Sequence, residues 1–191
     1  MKKQERLGAE DRLLLLQLAR KSIEAAVRGE HALKISLQEY SPDLQEEGAA
    51  FVTLTRSGRL RGCIGAIEAY QPLVQDVCEH AAAAATEDFR FDPVQPAELA
   101  DLKIEISRLT RPIPLRYSSP EDLLEQLHPG VDGMVVKEGF RRATFLPQVW
   151  EKIPDKREFL SNLCMKMGAP ANYWLTHPLE ILIYQVEEFH D

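Results

Sequence analysis

Phe51-Val52-Thr53-Leu54-Thr55, Arg56-Ser57-Gly58-Arg59 and Leu60-Arg61-Gly62-Cys63-Ile64-Gly65 follow one another without a break, and the fold is read outward from them. The first segment alternates apolar and polar residues, the period of a strand with one buried face. The second is a turn signal, so the third is the return strand of a hairpin. Cys63 sits on that strand between two glycines, with Arg61 before it. Glycine inside a strand marks a bulge or a close approach of other backbone. A nearby guanidinium favours thiolate over thiol.

Upstream, Leu16, Ala19, Ile23 and Ala26 recur at helical spacing, which predicts a helix over Ala9 to Arg28 with Gly29 as its stop. Glu30 to Gly48 is polar and contains Pro42, and reads as a connecting loop with room for a short strand. Downstream, Pro72 opens a helix whose face is Leu73, Val77, Ala81 and Ala84, ending near Asp88. The Ala81–Ala85 run lets another backbone pack closely. Leu102, Ile104 and Ile106 alternate with Lys103, Glu105 and Ser107, a half-buried strand. Ser119-Pro120-Glu121-Asp122 starts a helix that runs to about Leu127. Met134–Val136 and Phe140–Leu146 form a second hairpin, and Pro147 opens a short helix through Trp150. Asp155 with Glu158 predicts a capped helix that ends at Gly168. Leu179 to Val186 reads as one buried strand. Hairpins mixed with helices, without regular strand–helix alternation, indicate an α+β fold with mainly antiparallel sheet and packed helices. One domain spans 1–191, built from a larger lobe and a smaller one at about 111–155.

Composition narrows the function classes. The chain has 191 residues and a formal net charge of −7. A broad nucleic-acid footprint needs a basic face, so this balance argues against nucleic acid as a partner. Cys63, Cys78 and Cys164 are odd in number and widely spaced, as expected of reduced thiols in the cytoplasm rather than a disulfide framework. No Cys-x-x-Cys pair is present and no histidine has ligand spacing beside carboxylates, so no structural zinc is expected. The charged start, Met1 to Gly8, lacks a signal-type cleavage pattern. The apolar run Leu13–Leu16 is too short to span a bilayer.

The candidate site residues each carry two readings. Cys63 is a nucleophile, a metal ligand or a thiol carrier, or else a small packed hydrophobe. Arg61 and Arg90 offer donor forks suited to carboxylate or phosphate, and Asp88 is a ready internal partner for Arg90. Glu105 and Ser107 share one face of their strand, where the carboxylate serves as a base or is the polar side of an amphipathic strand. Lys166 lies in the last turn of its helix, where a cation suits the carbonyl end as well as a ligand. Thr144, at a strand-to-helix junction, caps the turn or reaches a ligand. His80 reads as an exposed helix residue, which leaves a cysteine–histidine dyad weakly supported. Trp150 and Trp174 read as core.

Several of these stretches together resemble the AMMECR-type domain family, and within it the bacterial branch of the AmmeMemoRadiSam system. The signature is Leu60-Arg61-Gly62-Cys63-Ile64-Gly65. Asp88-Phe89-Arg90-Phe91, Ile104-Glu105-Ile106-Ser107, Gly130-Val131-Asp132-Gly133, Thr144-Phe145-Leu146-Pro147-Gln148-Val149, and Phe159-Leu160 with Cys164-Met165-Lys166-Met167-Gly168 accompany it, in order. Ala66, Met167 and Thr86 depart from the residues most relatives carry there. The resemblance implies a cleft between a larger and a smaller lobe, with the signature beside it. The candidate ligand-binding set is then Arg61, Gly62, Gly65, Arg90, Ser107, Thr144 and Lys166 around Cys63, with Glu105 as a weaker catalytic candidate. It also implies a Memo-like protein and a radical-SAM enzyme as partners; the chain has no three-cysteine cluster of its own for such chemistry. It implies neither a particular reaction nor a particular cofactor. Two functions follow: a small-molecule or cofactor-handling protein centred on Cys63, or a non-catalytic adaptor that holds a peptide or protein.

Overall fold

A computed structural model describes residues 6–191, so the charged stretch Met1 to Glu5 lies outside the described residues. The fold is α+β, with two antiparallel sheets in two compact units. The first unit runs to Thr110 and takes back Glu187–Asp191; the second is Arg111–Val186.

In the first unit, β1 (Glu47–Arg56) turns through Ser57 and Gly58 into β2 (Arg59–Gly65). Both turn residues have positive φ, 51° and 74°, the twist a two-residue hairpin loop demands. The register then shifts between Leu54 and Thr55, so that Leu54 faces Gly62 while Thr55 faces Leu60. Arg61 is the extra residue of this bulge. The shift sets Val52 against Ile64 and Thr53 against Cys63. On its other side β1 pairs with β4 (Leu102–Leu109), and β4 neighbours β9 (Val186–His190); the short β3 (Gln71–Pro72) pairs with the start of β1.

One face of this sheet is covered by α1 (Ala9–Val27) and α3 (Leu73–Thr86). Leu15, Ala19 and Ile23 of α1 and Val74, Val77 and Ala81 of α3 meet Val52, Leu54, Ile104 and Ile106 in one core. Burying each large aliphatic side chain contributes about 1.5–3 kcal/mol, which is why strand alternation and helix periodicity dominate here. Gly29, at φ +69°, ends α1: its N–H reaches the Ala26 carbonyl and the next N–H reaches Ala25, closing the last turn. Residues 30–46 hold no strand. A single 3-10 turn and α2 (Pro42–Gln45), anchored by the fully buried Leu44, occupy them.

The second unit has sheet order β5-β8-β6-β7, made of β5 (Ile113–Leu115), β6 (Gly133–Glu138), β7 (Arg141–Phe145) and β8 (Glu180–Tyr184). Its helices are α4 (Pro120–Gln126), α5 (Lys156–Lys166) and α6 (Tyr173–Thr176). Ser119 and Asp155 cap α4 and α5 by accepting the N–H groups of Asp122 and Glu158. Gly168, at φ +83°, closes α5. Trp150 stacks on Phe159 at 3.6 Å, and both pack with Leu160, Leu163, Met134 and Ile181; Trp174 is buried in the same core.

Two expectations change. Leu179 to Val186 is not one strand: the apolar β8 ends at Tyr184, and β9 begins at Val186 in the other sheet. The physical reason is a change of pattern, from a continuous apolar run to alternation with Phe189 inward and Glu188 outward. β5 is an additional strand that the sequence pattern hides, because Pro114 interrupts it; it lies at a sheet edge, where proline is tolerated.

Candidate functional site

Cys63 lies directly across from Thr53, and Thr53 lies directly across from Glu105. Side chains at opposed positions share a sheet face. Thiol, hydroxyl and carboxylate therefore form one row over β2, β1 and β4, on the face away from the α1–α3 core. The Thr53 hydroxyl donates to Cys63 Sγ at 3.3 Å. The neighbouring row is Gly65, Phe51 and Ser107. A Cβ on Gly65 would come within 2.5 Å of the Phe51 ring and the Ala50 carbonyl, so this glycine makes room for Phe51. Ser107 is 8 % exposed. Among the described residues neither the Glu105 nor the Ser107 side chain has a hydrogen-bond or ion-pair partner.

The main chain of Cys63 points away from β1, as at a non-hydrogen-bonded antiparallel pair. Its N–H donates to Asp88 Oδ2 at 2.8 Å, and its carbonyl accepts Arg90 Nη2 at 3.2 Å. Arg90 in turn grips Asp88 with Nε at 2.9 Å and Nη2 at 2.6 Å. That fork, with the Cys63 N–H, holds the Asp88 carboxyl well below the usual carboxylate range. The same contact pushes the Arg90 guanidinium up. Asp88 and Arg90 thus cap the free edge of β2 where an extra strand would pair.

Arg61, displaced by the bulge, closes on Glu98 with Nε and Nη2, each at 2.9 Å, and on the Asp92 carbonyl with Nη1 at 2.9 Å. Glu98 also takes Arg56 and the Gln95 N–H. Arg61 first, then the Gln95 N–H, holds its carboxyl at about 2. Both arginines therefore have internal partners that anchor the 88–98 segment along β2. Gly62 packs on the opposite face: a Cβ there would lie 2.1 Å from the Ala84 carbonyl oxygen of α3. The alanine run of α3 and this glycine are two halves of one close contact.

Cys63 is half-buried, whereas Cys78 and Cys164 are buried, and burial pushes both of those thiols up. His80 is not an exposed helix residue. It is buried with Nδ1 3.2 Å from Asp76 Oδ2, and the fully buried Asp76 also accepts the Ala50 N–H. The polar α3 face turns inward at this turn because a main-chain N–H of β1 needs an acceptor there.

Thr144 and Lys166 belong to the second unit and meet each other. Thr144 donates to the Met134 carbonyl at 2.9 Å and lies 3.1 Å from the Tyr184 hydroxyl. Lys166 Nζ donates to the Thr144 carbonyl at 2.9 Å and sits 5.1 Å above the Phe145 ring. Thr53 escaped the sequence reading; its only signal was its place in the alternating strand opposite the cysteine. Among the described residues no group of three or more histidine, cysteine, aspartate or glutamate side chains is placed to hold a metal ion, and no helix is long and apolar enough to cross a membrane.

Known proteins share this architecture. The AMMECR1 family model matches residues 16–189. A Methanothermobacter thermautotrophicus protein is 39% identical, the alignment covering 97% of this chain and 96% of that one. A Methanopyrus kandleri protein is 37% identical over 98% of this chain and 91% of its own length. The crystal structure of an uncharacterised protein from Pyrococcus horikoshii superposes with a TM-score of 0.73 at 32% identity, covering 97% of this chain and 93% of that one. With a family match over nearly its whole length, the chain belongs to the AMMECR1 family.

Proposed function

We propose that this protein handles a small molecule or cofactor in the cytoplasm at the sheet face centred on Cys63, alongside a Memo-like protein and a radical-SAM enzyme. The carrying observation is the row Cys63–Thr53–Glu105. A half-buried thiol accepts a hydroxyl hydrogen bond, while an unpartnered carboxylate stands one strand beyond. The hydroxyl donor orients the sulfur, and the carboxylate can accept a proton or hold a cationic group. Asp88, Arg90 and Arg61 support the row by fixing the backbone that bears it.

The test is alkylation of the native protein across a pH series, read by peptide mass spectrometry, with Cys78 and Cys164 as internal controls. Rapid labelling of Cys63 near neutrality, with the other two silent until unfolding, is the expected result. Labelling of Cys63 only after unfolding removes the thiol from any reaction.

The adaptor reading draws on Phe89, which is 94 % exposed between Asp88 and Arg90. Large aromatics presented on a rigid support are typical interface anchors. Pathway function that survives Cys63→Ala but is lost with Phe89→Ser would select this reading.

A further inference from the structure

The second unit carries a groove of about 580 Å³, walled by residues 115–120 and 174–179. Small-molecule sites usually enclose roughly 300–1,000 Å³. The Tyr117 hydroxyl pins the two walls together: it donates to the Leu179 carbonyl at 3.0 Å and accepts the Leu179 N–H at 2.8 Å. A groove braced in this way has little ordering entropy left to lose on binding.

Its chemistry departs from the rest of the surface. The chain has 30 aspartates and glutamates, yet none lines this groove. The side chains that can carry positive charge there are Arg116 and His177. Among the described residues the exposed Arg116 guanidinium has no hydrogen-bond or ion-pair partner. The His177 ring is held in place by stacking on Tyr173 at 3.8 Å, with Nδ1 2.9 Å from the Thr176 hydroxyl. Behind it, the Tyr173 hydroxyl donates to Glu138 at 2.7 Å, and Arg141 pairs with the same carboxylate. Asp122, just past the first wall, is likewise occupied by Ser118 and Gln126. Glu138 and Asp122 are thus paired or bonded; Glu180, next after the second wall, lies 3.9 Å from Lys137, Glu121, next after the first, has no side-chain partner among the described residues, and Leu175, 42 % exposed, adds an apolar surface.

We propose that this groove binds a small organic anion, a carboxylate with an apolar body, its charge set against Arg116 and His177 and its body against Leu175. A guanidinium without a partner beside an apolar wall is the donor set that such a molecule needs.

The test titrates the isotope-labelled full chain with 3-phenylpropanoate and, separately, with the matching uncharged amide, following backbone amide shifts. Saturable shifts confined to 115–120 and 174–179, with the carboxylate preferred over its amide, are expected. Arg116→Gln, on the surface and without partners, should weaken the carboxylate about tenfold, the loss of one hydrogen bond to a charged group. A tetrapeptide ending in phenylalanine, compared with its C-terminally amidated form, identifies the source. Carboxylate-dependent peptide binding at the groove assigns a chain terminus; binding of the free acid alone assigns a metabolite. Equal binding of acid and amide, absence of saturable shifts at these positions, or an unchanged affinity in Arg116→Gln overturns the proposal.

Discussion

Asp88 accepts the main-chain N–H of Cys63 at 2.8 Å while Arg90, two residues further on, donates to the carbonyl of the same cysteine. One dipeptide spacing therefore satisfies both outward groups of an edge-strand residue. The ion pair between the two side chains makes this cap rigid. It blocks strand addition at that point, a hazard every edge strand must meet, and leaves the Cys63 side chain as the available group.

Replacing Asp88 by alanine should destabilise the first unit by about 1–3 kcal/mol, since the Cys63 N–H loses its acceptor and a guanidinium loses its partner. Asp88→Asn keeps an acceptor and should cost less. Urea unfolding of the two variants beside the wild type measures the difference; equal, negligible losses would contradict the role of the cap.

Acid should weaken the same region. Glu98 is held at about 2, against about 4.3 for an unperturbed glutamate. Between those values the unfolded chain binds more protons than the folded one. The contribution is therefore complete above about pH 4.3 and is lost as pH falls towards 2. Asp88, also depressed, acts with the same sign. Glu98→Gln should lower stability at neutral pH and flatten the acid limb, as followed by urea midpoints at stepped pH. An acid limb of unchanged slope would refute this.

Gly62→Ala places a methyl group 2.1 Å from a backbone oxygen of α3, which cannot swing aside as a side chain would. Overpacking of this kind costs about 1–3 kcal/mol. Thermal unfolding should show a clearly lower midpoint.

Thr53→Val keeps the shape of the side chain and removes its hydrogen-bond donor to Cys63. Stability should change by less than about 1.5 kcal/mol, the scale of one ordinary hydrogen bond. Alkylation of Cys63 at fixed pH should slow, because the sulfur loses the hydroxyl that orients it. An unaltered labelling rate would remove Thr53 from the site.

Much of the architecture was legible in short-range chemistry. Alternation in Phe51–Thr55 and in Leu102–Ser107, the turn at Ser57-Gly58, the caps at Ser119 and Asp155 and the stops at Gly29 and Gly168 all act over a few residues, so they determine elements locally. The hairpin and its thiol followed from those signals. Partners distant in the chain were not legible. Arg61 and Glu98 are 37 residues apart, and Cys63 and Asp88 are 25 apart. Only a bulge that displaces Arg61 and a helix that returns the chain to β2 bring them together. Likewise, the sequence marks Gly62 as a place of close approach, but not by what; the tertiary structure answers with the Ala84 carbonyl. By itself the sequence determined most of the elements, the α+β class and the family signature, because periodicity and turn chemistry are local, but not β5 or the break between β8 and β9. Tertiary structure decided that Thr53 and Glu105 share a face with the thiol and that the arginines brace the strand, because register and long-range ion pairs exist only once the sheet has formed.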